Sequence, residues 1–235
     1  YRFGLTGTLD GTLTHRLVLE GLFGTTETIV TTKELIDRKT LADLTVKCIV
    51  LKHKNIREKM TYAEELEYLA TNEKRNDFIV NLLQHLDGNT LCLFQLVEKH
   101  GKPLYDQVQE TITDRKTFFV YGGTDTSERE EIRGVVENEK KSIILASYGT
   151  FSTGINIRNI NNIVFSSPSK SRIRVLQSLG RGLRKTDTKH SVLIFDIADD
   201  VSHNNKRNFT LNHFSERISL YNEQQFDYQI SKVKL

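Results

Sequence analysis

At 235 residues, 37% hydrophobic and 27% charged, the chain is long enough for a sizeable core in one or two domains. Its net charge of +3 is too mild to mark a nucleic-acid binder by itself, and no apolar run approaches the length of a membrane span. Cys48 and Cys92 have no metal-ligand spacing and sit in apolar surroundings, so they read as buried, reduced thiols of a cytoplasmic protein. Tyr1 opens the chain with no Met, signal peptide or basic leader, which predicts a piece of a longer protein.

In chain order, Arg2-Phe3-Gly4-Leu5 predicts a strand, followed by Thr6-Gly7-Thr8 and Asp10-Gly11-Thr12. Small hydroxyl residues beside Gly suit a tight loop at a strand's carboxyl end, where α/β proteins place ligands; taken alone, the segment reads as a plain turn. Residues 13–24 predict a helix with Leu17, Leu19, Leu22 and Phe23 on its apolar side and Gly24 as its C-cap. Residues 25–43 are Thr-rich and read as a linker with a short helix around 33–38, and 44–52 as a strand of β-branched and apolar residues. Residues 57–86 are helical, with Tyr62, Leu66 and Leu69 on one apolar face, Phe78, Leu82 and Leu86 on another, and Asn72 between them.

A regular alternation follows. Strands are predicted at 90–95, 116–121, 142–147, 162–166 and 191–197, and helices at 97–111, 127–137, 171–179 and 205–221, with a weak edge strand at 226–233. Short, almost wholly apolar strands alternating with helices argue for an α/β fold: a parallel sheet with helices on both faces.

In such a sheet the loops after the strands carry the chemistry. After 116–121 come Gly122 and Gly123, which let a backbone approach a bulky ligand such as a nucleic-acid strand, and Thr126 or Ser127 suits the N-cap of the acidic helix that follows. After 142–147 the stretch from Ser147 to Asn156, with Thr150, Gly149 and Gly154, reads as a Gly-rich loop able to bind phosphate. It is not a P-loop, because Ile155 and Asn156 stand where Lys and Ser or Thr are required. No other P-loop pattern, no Asp-Glu pair and no G-x-G-x-x-G fingerprint occurs in the chain. The run from Lys170 to Lys189 holds seven basic residues and one acid, Asp187. Within it Arg181 and Arg184 lie three apart, on one face of a helix. Arginine is permanently charged and forks onto phosphate oxygens, so a fixed pair can act across an interface on nucleotide held by another domain. An ordinary solvated basic helix, or a non-enzymatic nucleic-acid-binding module with this run as its footprint, fits the composition too. A metabolic α/β enzyme is disfavoured by the lack of a carboxylate pair, a nucleophile–base spacing or a cofactor fingerprint.

Taken in this order, the segments resemble the second RecA-like motor domain of superfamily-two helicases. Thr6-Gly7-Thr8 resembles motif III, residues 90–95 motif IV, Ser147 through Ile157 motif V and Gln177 through Arg184 motif VI. Tyr121-Gly122-Gly123 with Glu128 and Arg129 resembles the segment between motifs IV and V. The resemblance divides the chain into 1–12, the end of a first motor domain; 13–43, a helix and linker; and 44–235, the second motor domain. It implies that Arg181 and Arg184 are arginine fingers on the γ-phosphate and that Gln177 lies on the nucleotide side of motif VI. Gly154 and Asn156 would approach the nucleotide, and Thr6, Gly7 and Thr8 would couple ATP state to DNA grip. Many relatives carry Asp where Asn156 stands, and a neutral amide can only hydrogen-bond there. Ser147 and Thr150, with Gln95, Gly122 and Gly123, would contact DNA. ATP and Mg²⁺ would be held mainly by an N-terminal RecA-like domain of the same protein, so the chain alone is expected to be inactive. Helicases of the family that work in recombination further suggest branched or single-stranded DNA as partner; an RNA-directed helicase is the alternative.

Overall fold

The computed structural model describes residues 2–5, 13–54, 56, 58–154, 157–167, 171, 175–176, 180, 183, 189, 191–204 and 206–235, with the backbone alone at 152–154. Seven strands form one sheet: β1 (Asp43–Lys52), β2 (Thr90–Phe94), β3 (Thr117–Val120), β4 (Ile143–Ser147), β5 (Asn162–Phe165), β6 (Ser191–Asp200) and β7 (Asp227–Lys234). Their order is β3-β4-β2-β5-β6-β1-β7, and every neighbouring pair runs parallel. Among the described residues, the helices with defined bounds are α1 (Leu13–Phe23), α2 (Thr32–Asp37), α3 (Tyr62–Thr71), α4 (Glu73–His85), α5 (Lys102–Thr111), α6 (Thr126–Asn138), α7 (Tyr148–Gly154) and α8 (Phe209–Glu223), with a π turn at Val97–Gly101 leading into α5.

Side chains alternate between two cores because successive residues of a strand point to opposite faces. Leu91, Leu93, Ile144, Ala146, Ile163 and Ile194 pack on the face covered by α2, α6, α7 and α8. Cys92, Phe94, Ile143, Leu145, Val164 and Ile197 pack on the face covered by α4 and α5. With both faces covered, the central strands tolerate almost no polar residue, which makes them near-continuous apolar runs in the sequence. β7 lies at the sheet edge against β1 and is largely exposed, which explains its weaker alternation.

Local chemistry accounts for the ends. Thr31 and Glu34 form a capping box on α2, and Thr61 and Glu64 form one on α3. The Asn72 side chain accepts from Arg75 N, starting α4 immediately after α3 stops. Gly24 takes φ +89° at the end of α1.

The structure corrects five expectations. Residues 2–5 form no strand. α1 buries none of its residues, so its apolar side packs on no core among the described residues. The apolar face of α4 is turned by about one position: Arg75, Asn76, Ile79, Val80 and Leu83 are buried, while Phe78, Leu82 and Leu86 flank them. The sequence favoured the flank because two of the inward residues are polar. The N-cap of α6 is Asp125, not Thr126 or Ser127. Finally, the stretch after β4 is α7 rather than a Gly-rich loop, because Tyr148 and Phe151 sit one turn apart and are both buried against the core.

Candidate functional site

All seven strands end on one edge, and the sheet order brings the predicted DNA-facing residues together there. β3, β4 and β2 are consecutive in the sheet, with Val120 paired to Ala146 and Phe94 paired to Ser147. Gly122 and Gly123, Ser147, and Gln95 therefore stand at the ends of three adjacent strands, each step about 4.8 Å. Residues far apart in the chain end side by side because parallel pairing aligns the strand ends.

The two glycines differ. Gly122 is exposed, and a Cβ placed on it would meet nothing within 4 Å. Gly123 lies under the Tyr121 ring, 2.6 Å from where its Cβ would be, so a side chain there would displace the ring. Thr124 Oγ1 accepts from Tyr121 N at 3.1 Å, and Arg129 donates to Tyr121 O and Gly122 O at 3.2 Å each, which fixes the turn from below. The Ser147 and Thr150 hydroxyls bond each other at 2.8 Å, and Thr150 N reaches Ser147 Oγ at 3.4 Å. Thr150 is buried and Ser147 half-buried, so these two hydroxyls first serve to start α7. Gln95 is exposed, and its backbone N–H donates to Ser167 Oγ at 3.1 Å, tying the end of β2 to the end of β5.

Beneath this row lies a buried polar network that sequence reasoning missed. Arg75 donates from Nε to Asp199 Oδ1 at 2.9 Å and from Nη2 to Ser166 O at 2.6 Å. His53 Nε2 lies 2.9 Å from the same Asp199 oxygen, and its Nδ1 lies 3.3 Å from the Tyr68 hydroxyl. Burial by itself raises the Asp199 pKa, but the Arg75 guanidinium and the His53 bond outweigh it and hold the carboxyl below its usual range. His100 Nδ1 lies 3.0 Å from Ser167 Oγ, and burial, reinforced by the Arg75 charge, pulls its pKa down to about 3, so the ring is neutral. A cavity of about 10 Å³, at the lower limit for one water, is lined by Leu66, Leu69, Arg75, Gln95, His100 and Ser167. The only sequence signals for this network are Arg75 three residues after a capping Asn72 and the Asp199-Asp200 pair ending an apolar strand.

Thr6, Gly7, Thr8, Asn156, Gln177, Arg181 and Arg184 lie outside the described residues. Gly154 is the last residue of α7. Around the basic stretch, Val175 and Leu183 are fully buried in the core, and Leu183 O accepts from Ala42 N at 2.9 Å. Lys189 is also buried, its Nζ donating to Arg158 O at 3.1 Å, and burial lowers its pKa to about 8. Among the described residues no group of three or more His, Cys, Asp or Glu could hold a metal ion, and no helix is long and apolar enough to cross a membrane.

Residues 73–186 match the helicase conserved C-terminal domain. Over its whole length the chain is 33% identical to the ATP-dependent DNA helicase uvsW of Enterobacteria phage T4, and it spans 50% of that protein's length. The crystal structure of T4 UvsW superposes with a TM-score of 0.69 at 34% identity, covering 83% of this chain and 42% of that one. The C-terminal domain of the DEAD-box protein Dbp5 superposes with a TM-score of 0.53 at 12% identity, over 84% of this chain and 92% of that one, and shares the fold alone.

Proposed function

The chain belongs to the superfamily-two helicases as a helicase C-terminal, RecA-like domain, and from that premise we propose that it is the second motor half of an ATP-dependent DNA helicase or translocase. In this reading residues 1–12 close a first RecA-like domain, 13–43 form the connection, and 44–235 form the second motor domain. ATP and Mg²⁺ are held mainly by the N-terminal RecA-like domain of the same protein. The substrate is branched DNA (forks, crossovers and displacement loops), remodelled in recombination, repair and replication in the cytoplasm.

The observation that carries the reading is the whole-chain likeness to a DNA helicase of which this chain spans half. The geometry of the carboxyl edge supports it, since Gln95, Ser147 and the exposed Gly122 fall in one row at the ends of adjacent strands. Bound nucleotide supplies the phosphoryl group whose transfer drives the motor. The guanidinium groups of Arg181 and Arg184 neutralise charge developing on it, as permanently charged forks can. Gln177, Gly154 and Asn156 line the same side, Asn156 as an uncharged hydrogen-bonding group. Thr6, Gly7 and Thr8 couple the nucleotide state to the grip on DNA. The grip itself is on the phosphate backbone, through Ser147, Thr150, Gln95 and the Gly122–Gly123 turn, and is therefore largely blind to sequence and sensitive to salt.

The test is strand separation by the intact two-motor protein on a synthetic fork and on a linear duplex of equal length. ATP-dependent separation with the fork preferred is expected. Equal activity on both would remove the branched-DNA assignment, and separation of RNA rather than DNA would move the chain to an RNA motor. Binding without any ATP-driven separation would leave only a nucleic-acid-binding module.

A further inference from the structure

We infer that Tyr62 and Phe209, with the loops that precede them, form a stacking platform for a single DNA strand at the β1 and β6 end of the carboxyl edge. The inference rests on the motor-half reading and adds a contact site outside the helicase-like motifs.

Both residues open a helix, and the two helices are locked together. The Thr61–Glu64 capping box fixes Tyr62 at the start of α3. Glu65, three residues on and on the same face of the helix, is buried. Its carboxylate accepts from Phe209 N at 2.9 Å, Thr210 N at 2.7 Å and Asn208 Nδ2 at 2.7 Å, so an α3 side chain occupies the N-terminus of α8. The result is a rigid mount. The Tyr62 and Phe209 rings meet edge to face with centroids 5.9 Å apart at 66°, and the His213 ring lies 5.4 Å from Tyr62 at 72°. Despite this packing, Tyr62 is 37% and Phe209 40% exposed. Aromatic side chains this large, held on helix ends and still open to solvent, are what a stacking base uses.

Charge selects the occupant. The loops after β1 and β6 meet where His203 Nδ1 lies 3.1 Å from Ile56 O. Residues 53–61 and 201–208 contain Lys54, Arg57, Lys59, Lys206 and Arg207 against one acid, Glu58. Lys54, Lys59, Lys206 and Arg207 are exposed, and Arg207 is steadied by a 3.0 Å bond from Nη2 to Ser215 Oγ. The exposed acid beside them on α3, Glu64, is committed to its cap. Cations around open aromatic faces fit a polyanion carrying unpaired bases, not an apolar protein segment. The position fits as well. β6 and β1 stand two and three strands from β2 in the sheet, roughly 10 to 15 Å along the edge from Gln95. One strand of DNA laid across the edge can therefore reach both places.

The chain contains no Trp, so Tyr62→Trp gives the 235-residue chain a single indole reporter. Titration with an oligothymidylate strand is expected to quench its emission, with the midpoint of direct binding. Replacing Tyr62 and Phe209 together by Ala is expected to weaken binding about 5- to 100-fold. Replacing Lys206 and Arg207 by Ala is expected to flatten the salt dependence by about 0.7 in the log–log slope for each phosphate no longer neutralised. Strand binding with unquenched emission and undiminished affinity in the double-Ala variant overturns the platform and leaves the motor reading standing. No binding of DNA by the chain overturns both. Because the quenching readout does not depend on the Ala variant, poor folding of that variant does not rescue the proposal.

Discussion

At the amino edge of the sheet the Asn89 side chain makes four bonds: it donates to Val136 O and Glu139 O and accepts from Ser142 N and Ser142 Oγ. Beside it Arg115 spreads over Leu83 O, Leu86 O and Gly88 O at 2.8 Å each, closing the carbonyl end of α4. At the carboxyl edge, His100 Nε2 and Asp199 Oδ2 have no partner among the described residues, and Gly122 and Gly149 face open space. Two edges of one sheet are thus finished differently. At the amino edge Asn89 and Arg115 are committed mainly to backbone groups. The carboxyl edge holds two buried polar atoms without a partner among the described residues and leaves the backbone at Gly122 and Gly149 open. A buried polar group left without a partner costs stability, so its persistence marks the edge where something other than folding sets the residues.

The comparison predicts different kinds of failure at the two edges. Asn89→Ala leaves Ser142 N and two helix-end carbonyls without their buried partner. It is expected to lower unfolding stability by about 3 kcal/mol, read as a shifted urea midpoint, without changing the salt dependence of DNA binding. A loss below about 1 kcal/mol would mean that the amino edge is not closed in the way described. His100 is expected to act more gently and through pH. Its folded-state pKa of about 3 lies below the unfolded value of about 6.5, so between those values the unfolded chain binds the extra proton. Stability is then complete above about pH 6.5 and falls with pH toward 3, by about 2 kcal/mol between pH 7 and pH 5. His100→Gln keeps a hydrogen-bonding group near Ser167 and is expected to remove that part of the slope. An unchanged slope in the variant would show that His100 is not held neutral by burial.

Most of the sheet was legible in the sequence, because strands covered on both faces must be apolar throughout, as in Ile143-Ile144-Leu145-Ala146 and Asn162-Ile163-Val164-Phe165. Gly122 and Ser147 were legible as parts of two separate loops and Gln95 as the end of a strand, and only the strand order put them side by side. What stayed hidden was polar and buried. Arg75 and Asn76 turn inward on α4, so hydrophobic periodicity misplaced its face. Glu65 reads as one more acid of an exposed helix until α8 is seen to rest its N-terminus on it. Composition misled at residues 148–154, where Ser, Thr and Gly suggested a loop while Tyr148 and Phe151 carried the packing that makes a helix. Side-chain pairing across 124 residues, as between Arg75 and Asp199, has no local signature at all.

The measurement that bears most directly on the account is DNA-stimulated ATP hydrolysis by the intact two-motor protein, wild type beside Arg181→Ala and Arg184→Ala, with DNA affinity measured in parallel. Loss of turnover by about 10³- to 10⁵-fold with DNA affinity nearly intact is the predicted result, since finger arginines act on the transferring phosphoryl group and not on the strand. Normal turnover accompanied by weakened DNA binding would contradict it, and would make the basic stretch a DNA-binding face and nothing more.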